Sequence, residues 1–436
     1  MTPNPKIINS VEKLGYRVTV GDVATQSGLE LNFAQQGLLT LASEAGGHLQ
    51  VAESGDVVYL FPKNFRSILR NKYWQLRWQQ TWAKIWKVLF YIIRISFGIV
   101  LIASVLLLLA AIIAIVVAMN SSNNERQGGR GRSYGGGGFF FMPRFWIGDI
   151  FWWFDPGYNR RRRQRRRQAA GNYQMNFLEA VFSFLFGDGN PNADLEENRY
   201  SAIGAVIRSN KGAVAGEQIA PYVDKVDEDE NYMLPVLSRF NGYPEVSPQG
   251  EIIYYFPELQ VMASQRQTQP VSAAGYLQEK PWRFSQANGN QITMAAGLGI
   301  LNIALAFILE GLLQNSPIAA ELGGIVAFAD EISWFLLGYG VLYLLIPSIR
   351  YFWIKGRNPK IIDRNQAREQ KAIALTQPSK SLRQKLAYAS QFARQKVIGD
   401  RDLAYTTEDD LLDQNIKDRD RIDREWQQKL RSTNNE

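Results

Sequence analysis

GGHLQVAESGDVVYLFP, residues 46–62, recurs as NGYPEVSPQGEIIYYFP at residues 241–257. A constant offset of 195 pairs Gly47 with Gly242, Val51 with Val246, Gly55 with Gly250, Asp56 with Glu251, Tyr59 with Tyr254, Phe61 with Phe256 and Pro62 with Pro257. Each copy sets β-forming residues around a Gly-containing turn and stops at a proline, the pattern of a β-hairpin. What precedes the hairpins also matches. In the first copy, helices are predicted over 7–14, 21–27 and 30–44, with a short strand over 17–20. In the second, 198–208, 215–223 and 227–240 play the same parts. Three helices followed by a two-stranded wing is the winged-helix layout, and repetition of the whole pattern argues against chance.

Winged helices often bind DNA, so the third helix is tested for charge. LNFAQQGLLTLASE in the first copy has no Lys or Arg, and the second copy begins DEDENYMLPVLSR, heavily acidic. DNA affinity comes largely from Lys and Arg neutralising phosphates, and acidic side chains repel that backbone. No nucleic-acid partner is expected. The modules are expected to dock proteins, with the repeated wing edges as the docking surfaces.

Residues 95–118, ISFGIVLIASVLLLLAAIIAIVVA, contain no charge and no proline. At 1.5 Å per residue such a helix crosses a hydrocarbon core of about 30 Å. The apolar run is too long for a signal peptide. Residues 292–313 and 322–346 are also largely apolar. The linker QNSPIAAE joins them, so they read as a hairpin of two spans. Gly297, Gly299, Gly338 and Gly340 would allow close helix contact. Lys and Arg flank the spans at Arg70, Lys72, Arg77, Lys84, Lys87 and Arg94, at Lys280 and Arg283, and at Arg350, Lys355, Arg357 and Lys360. The positive-inside rule then places the N-terminus, the stretch before the hairpin and the C-terminus on the cytoplasmic side. The polar, Gly-rich stretch 120–138 reads as a flexible outer loop. FFFMPRFWIGDIFWWF, residues 139–154, is short for a span and carries Arg144 and Asp149. A re-entrant or interfacial segment and a return crossing both fit. The return is favoured because the basic run that follows belongs inside.

That run is RRRRQRRR: Arg160, Arg161, Arg162, Arg163, Arg165, Arg166 and Arg167. It supplies all but one of the formal net charges of +8, so the basicity is local. Beside a membrane it is expected to bind anionic lipid headgroups, or to serve only as a topology signal. The next apolar stretch, residues 175–186, is too short to span and is expected to be an interfacial or buried helix. Asp188, Asn190 and Asn192 resemble the start of a calcium loop, but Ala193 and Arg199 stand where Gly and Glu are needed, so a capped turn is expected. Within the spans, Glu310, Asp330 and Glu331 are candidate intramembrane ionisable groups together with Arg94. They form either a proton or cation path, or structural pairs with Arg94 or Arg144.

The chain has 436 residues, no Cys and one His, His48. These counts exclude a disulfide framework, thiolate-ligated clusters, clustered-His metal sites and Cys–His catalysis. No metal and no other cofactor is expected. From Gly356 onward the chain is polar and is predicted to be helical, with Thr406 or Thr407 capping the last helix.

The motifs FFFMPRFWIGDIFWWFDPGYNRRRR and MNFLEAVFSFLFGDGNPN resemble a poorly characterised family of integral membrane proteins of cyanobacteria and chloroplasts, whose plant members are sometimes labelled iron–sulfur cluster biosynthesis proteins. The resemblance implies a cyanobacterial thylakoid or plasma membrane address and no catalytic residues. Without Cys, this chain holds no thiolate-ligated cluster itself.

The expected fold is an α+β membrane protein with two winged-helix-like modules, transmembrane helices and a helical C-terminal tail. Its divisions are 1–65 (first module), 66–119 (linker helix and first span), 120–190 (loop, aromatic segment, Arg cluster and amphipathic helix), 191–260 (second module), 261–355 (linker and hairpin) and 356–436 (tail). The expected function is non-enzymatic: a scaffold or assembly factor docking protein partners, within a membrane complex or as a homo-oligomer. The alternative is an ion or proton transporter built on the intramembrane carboxylates.

Overall fold

The computed structural model describes residues 3–72, 74–125, 175–264, 275–315 and 322–408, with isolated positions beyond. The chain forms two compact units. One comprises residues 1–87, 190–282 and 355–436, the other residues 88–189 and 283–354.

The first unit opens with helix α1 (Pro5–Leu14), started by the Asn4 side chain, which accepts from the Lys6 N–H. Strand β1 (Arg17–Val18), α2 (Val20–Ser27), α3 (Leu31–Ala45), β2 (His48–Ala52), β3 (Val57–Leu60) and α4 (Phe65–Lys72) follow. The chain continues as α5 (Trp74–Glu125) and, later, α6 (Phe177–Phe186). The second copy is α7 (Leu195–Ser209), β4 (Ala213–Ala215), α8 (Gly216–Ile219), α9 (Leu234–Phe240), β5 (Tyr243–Val246) and β6 (Ile252–Tyr255). Short α10 (Pro257–Gln260) and β7 (Val261–Met262) close it.

The two copies share element order and sheet order. Strands run β1-β3-β2 in one and β4-β6-β5 in the other, all antiparallel. Individual bonds recur: Ala52 N–H donates to Asp56 O at 2.9 Å and Ser247 N–H to Glu251 O at 2.8 Å, while Phe61 N–H reaches Tyr16 O and Phe256 N–H reaches Gly212 O, both at 2.8 Å. Gly47 and Gly242 are equivalent for a steric reason. A Cβ at Gly47 would lie 2.8 Å from the Phe61 ring, and one at Gly242 would overlap the Phe256 ring. The start of the second helix differs between copies. Thr19 and Asp22 form a capping box in α2, whereas Ala215 has no oxygen to offer and its N–H is taken by Gln218 Oε1 at 3.0 Å. The third helix of the second copy is shorter than the sequence suggests. It begins at Leu234 with Pro235 in its first turn, and the acidic run 227–230 stays outside it, ahead of a 3₁₀ turn at Asn231–Met233.

Both copies contribute to one apolar core. Ile7, Leu38, Leu41, Phe61 and Phe65 of the first join Ile203, Ile207, Val214, Phe240 and Phe256 of the second. At this junction Asp22 on α2 and Arg208 on α7 are both buried and ion-paired. Asp22 Oδ2 also accepts from the N–H of Thr19 at 2.8 Å and of Ala263 at 3.2 Å.

In the second unit, α5 carries the apolar stretch, and α11 (Gly289–Asn315), α12 (Ile325–Glu331) and α13 (Ser333–Thr376) follow. Among the described residues three helices are long and apolar enough to cross a membrane: 84–120 of α5, all of α11, and α13. The first is longer than expected, since α5 continues through Glu125 into the region read as a loop. The expected second hairpin span is interrupted: α12 ends at Glu331, Ile332 leaves helical geometry (ψ 6), and α13 runs on through Thr376. Leu108, Ala111 and Ile115 of α5 bury against Leu305, Ala306 and Leu309 of α11. Of the four glycines expected at contacts, Gly299 and Gly340 meet Tyr343 and Ile303, while Gly297 and Gly338 face open space. The ten-residue α6 buries Ala180, Val181, Phe184 and Leu185 against this unit, as its length implies.

The tail is not simply helical. Beyond α13, α14 (Lys380–Phe392) lies on the second sheet, with Phe392 stacked on Tyr255 at 5.6 Å between centroids. Then β8 (Lys396–Val397) pairs parallel to β7, and β9 (Leu403–Thr406) pairs antiparallel to β2. Thr406 ends this strand, and the helix that Thr406 or Thr407 was expected to cap lies mostly outside the described residues. Local patterning missed these strands because their partners lie far away in sequence.

Removing one partner of a buried ion pair leaves the other charge uncompensated, at a cost of about 3–5 kcal/mol. Asp22→Ala is therefore expected to lower unfolding stability by that amount, measured by denaturant titration in detergent. Asp22→Leu with Arg208→Met should recover only the part due to the uncompensated charge, because the Thr19 and Ala263 N–H groups still lack their acceptor.

Candidate functional site

Helix α3 is the third helix of the first copy. Leu31, Ala34, Leu38, Leu41, Ala42 and Ala45 point into the core at helical spacing. The opposite face exposes Asn32, Phe33, Gln35, Gln36, Leu39 and Ser43, with no charge among them. Phe33 is 47% and Leu39 44% exposed. The equivalent α9 exposes Leu234, at 60%, beside Pro235. This uncharged helix face has no Lys or Arg to neutralise a phosphate backbone, and it holds large apolar side chains in water.

The two wing edges, expected as equal docking surfaces, are not equivalent. The outer edge of β2 is occupied by β9. Leu49 N–H donates to Thr407 Oγ1 at 2.8 Å, and Thr407 N–H donates to Leu49 O at 2.9 Å. The residue matching Leu49 in the second copy is Pro244, which has no N–H. Among the described residues, no strand pairs with the outer edge of β5.

Charged clusters tie the tail to the modules. Lys385 on α14 is buried and bonds Glu230 Oε1 at 2.6 Å and Glu217 Oε1 at 3.1 Å. Burial works against its charge, but the two carboxylates outweigh it and raise its pKa. Glu230 itself sits in the left-handed region at φ 53. Burial and these carboxylates push the Tyr232 and Tyr254 phenols up. On α13, Arg364 bonds both oxygens of Glu279, at 2.8 and 2.6 Å, and buried Arg368 reaches Glu279 Oε1 at 2.8 Å. The Arg364 bonds hold the Glu279 carboxyl below its ordinary value, against burial. Asp224 is also lowered: burial opposes this, but Arg368 and Arg199 prevail.

In the second unit, Arg94 does not meet the intramembrane acids. It bonds Asp188 Oδ1 at 2.9 Å, just past the end of α6. Asp188 Oδ2 accepts from Ser183 Oγ at 2.6 Å and from Gln286 N–H at 2.9 Å. Gly187, between α6 and Asp188, has φ 79 and ψ −166, and a Cβ there would lie 3.2 Å from Arg350 Cζ. Arg350 donates to the Ser183 and Phe184 carbonyls and lies 4.6 Å over the Phe284 ring. It thus meets the Phe184 carbonyl near the helix end and adds to the bond that the Ser183 carbonyl already accepts from Gly187 N–H. This arrangement was invisible to local patterning, although Gly187–Asp188 after an apolar run marked the helix stop. Glu310 is half-buried and accepts from Gln314 of its own helix at 2.6 Å. Asp330 and Glu331 are exposed at the end of α12. Among the described residues none of these three acids forms an ion pair. Buried Asn302 donates to Ser104 Oγ at 2.5 Å. Residues 139–154, with Arg144, and the cluster from Arg160 to Arg167 lie outside the described residues. Asp188, Asn190 and Asn192 form turns; Asn192 exchanges two 2.8 Å bonds with the backbone of Lys280. Among the described residues no group of three or more His, Cys, Asp or Glu is placed to hold a metal.

These features define a mixed helix-and-sheet protein with, among the described residues, three helices apolar enough for a membrane. An uncharacterised chloroplastic protein of Arabidopsis thaliana is 38% identical over 427 residues, covering 94% of this chain and 80% of that protein. The chain belongs to the family of this chloroplastic protein. No family model matches the chain, and no solved structure matches it.

Because the folded pKa of Glu279 lies below its ordinary value of 4.5, its ion pairs add stability above pH 4.5 that is lost as the pH falls through the folded value. The melting temperature in detergent should drop as the pH is taken from about 7 to about 3. Glu279→Gln should lower it at neutral pH and flatten the acid limb.

Proposed function

We propose that this protein is a non-enzymatic membrane scaffold or assembly factor, with two winged-helix modules that dock a partner protein through the exposed face of α3. The observation that carries this is the uncharged outer face of α3 with Phe33 and Leu39 in water. The winged-helix reading is supported by the shared strand orders. Placement of both modules in one aqueous compartment is supported by their common core, and the cytoplasmic side is the one that the Lys and Arg flanking the spans favour. The thylakoid or plasma membrane address is supported by the chloroplastic relative and the three apolar helices. Buried apolar anchors dominate most protein interfaces, and placing a charge at one disrupts binding by several kcal/mol. Full-length chain carrying Phe33→Asp and Leu39→Asp, purified from native membranes in mild detergent, should lose a stoichiometric partner that the unaltered chain retains, at unchanged melting temperature. An identical partner profile would refute the reading.

The interruption at Ile332 favours a second reading. Broken helices with ionisable groups beside the break are typical of ion-coupled transporters, and Asp330 and Glu331 immediately precede this one. Under that reading, Glu310→Gln, Asp330→Asn and Glu331→Gln together abolish proton or cation flux in liposomes that the unaltered chain supports. Absence of flux in the unaltered chain would dispose of it.

A further inference from the structure

Strand β9 completes the first module's sheet, yet the module does not require it. The second copy keeps the same order with three strands, and among the described residues nothing pairs outside β5. The outer edge of β2 is therefore a site, and β9 is its occupant. The site has definite chemistry. Leu49 offers an N–H and a carbonyl outward, and Thr407 answers both. Glu53 N–H takes Asp402 O at 2.9 Å. Leu403 lies against a small apolar cluster of Ala52, Val58, Ala263 and Ile398. An antiparallel segment with a leucine at one end and a hydroxyl residue four positions on fits it.

The occupant is a short, irregular edge strand. It is four residues long, its register shifts between Val51 and Ala52, and Ala404 and Tyr405 point into water. Short edge strands with few buried contacts open at low free-energy cost. The link to β8, which pairs with β7, is short, Gly399 followed by one 3₁₀ turn at Asp400–Asp402, and short hinges invite exchange between copies.

We propose that β9 is exchangeable: the outer edge of β2 also accepts residues 403–407 of a second copy of this chain, joining two chains through their first modules. Main-chain bonds supply the affinity of such strand addition, and the Leu403 contact supplies its selectivity. Pro244 confines the exchange to the first module, because the equivalent edge of the second lacks the N–H that Leu49 provides. The inference stands whether or not α3 docks a partner.

The natural absence of Cys allows a direct test. Val51 and Tyr405 are register partners across β2 and β9. A full-length chain carrying both Val51→Cys and Tyr405→Cys should link internally with a short bifunctional maleimide. Two full-length chains, one with Val51→Cys and the other with Tyr405→Cys, are then mixed in detergent and treated alike. The expected result is a dimer-sized band that grows with concentration and needs both chains. Adding Leu49→Pro to the Val51→Cys chain should remove that band. Internal linking without a dimer band on mixing would overturn the proposal. So would a dimer band that survives Leu49→Pro, or failure of the doubly substituted chain to link at all.

Discussion

Asp22 and Arg208 are opposite charges withdrawn from water at the junction of two copies of one module. Apolar burial drives the copies together but does not by itself choose their alignment, since it has no direction. The ion pair does have direction, and a misaligned junction would leave a buried charge alone. Asp22 carries further constraints on the same carboxylate. It closes the capping box that starts α2, and it holds Ala263 at the end of β7. One side chain thus couples a local helix start, the joint between copies and the segment that receives the tail. Arg17 extends this coupling, reaching Gln50 in its own sheet and the carbonyls of Ala263 and Ile398.

The second unit solves a different problem. Backbone polar groups in a lipid environment must find partners within the protein. Long helices do so along most of their length, but the short α6 has a large exposed fraction of ends. Arg350 meets its carbonyls, Gly187 turns the chain where a side chain would collide with that guanidinium, and Asp188 gathers Arg94, Ser183 and Gln286. The sequence GDG after FLEAVFSFLF is the local record of this geometry.

Much of the architecture was legible because its signals are local or periodic. The repeated hairpin carried its turn glycines, and the apolar stretches carried their length. Three features were hidden. Pro235 cut the third helix of the second copy short, so an acidic run read as helix lies ahead of it. The tail strands β8 and β9 are only two and four residues long and owe their conformation to partners remote in the chain. The charge pairs Arg94–Asp188 and Arg208–Asp22 follow no spacing that a single sequence displays. Wing edges that looked interchangeable proved distinct through one substitution of the repeat, leucine at 49 and proline at 244.

That proline has a consequence for how the protein is made. Translation is vectorial, and early domains fold before later residues emerge. By the time residues 403–407 leave the ribosome, both modules stand complete with homologous edges, and the second was finished more recently. A chain with two like receptors and one late ligand risks a trapped misassembly. Withholding a single N–H from the later receptor biases the choice without a chaperone, and it does so by subtraction, at a position where the finished second module needs no hydrogen bond.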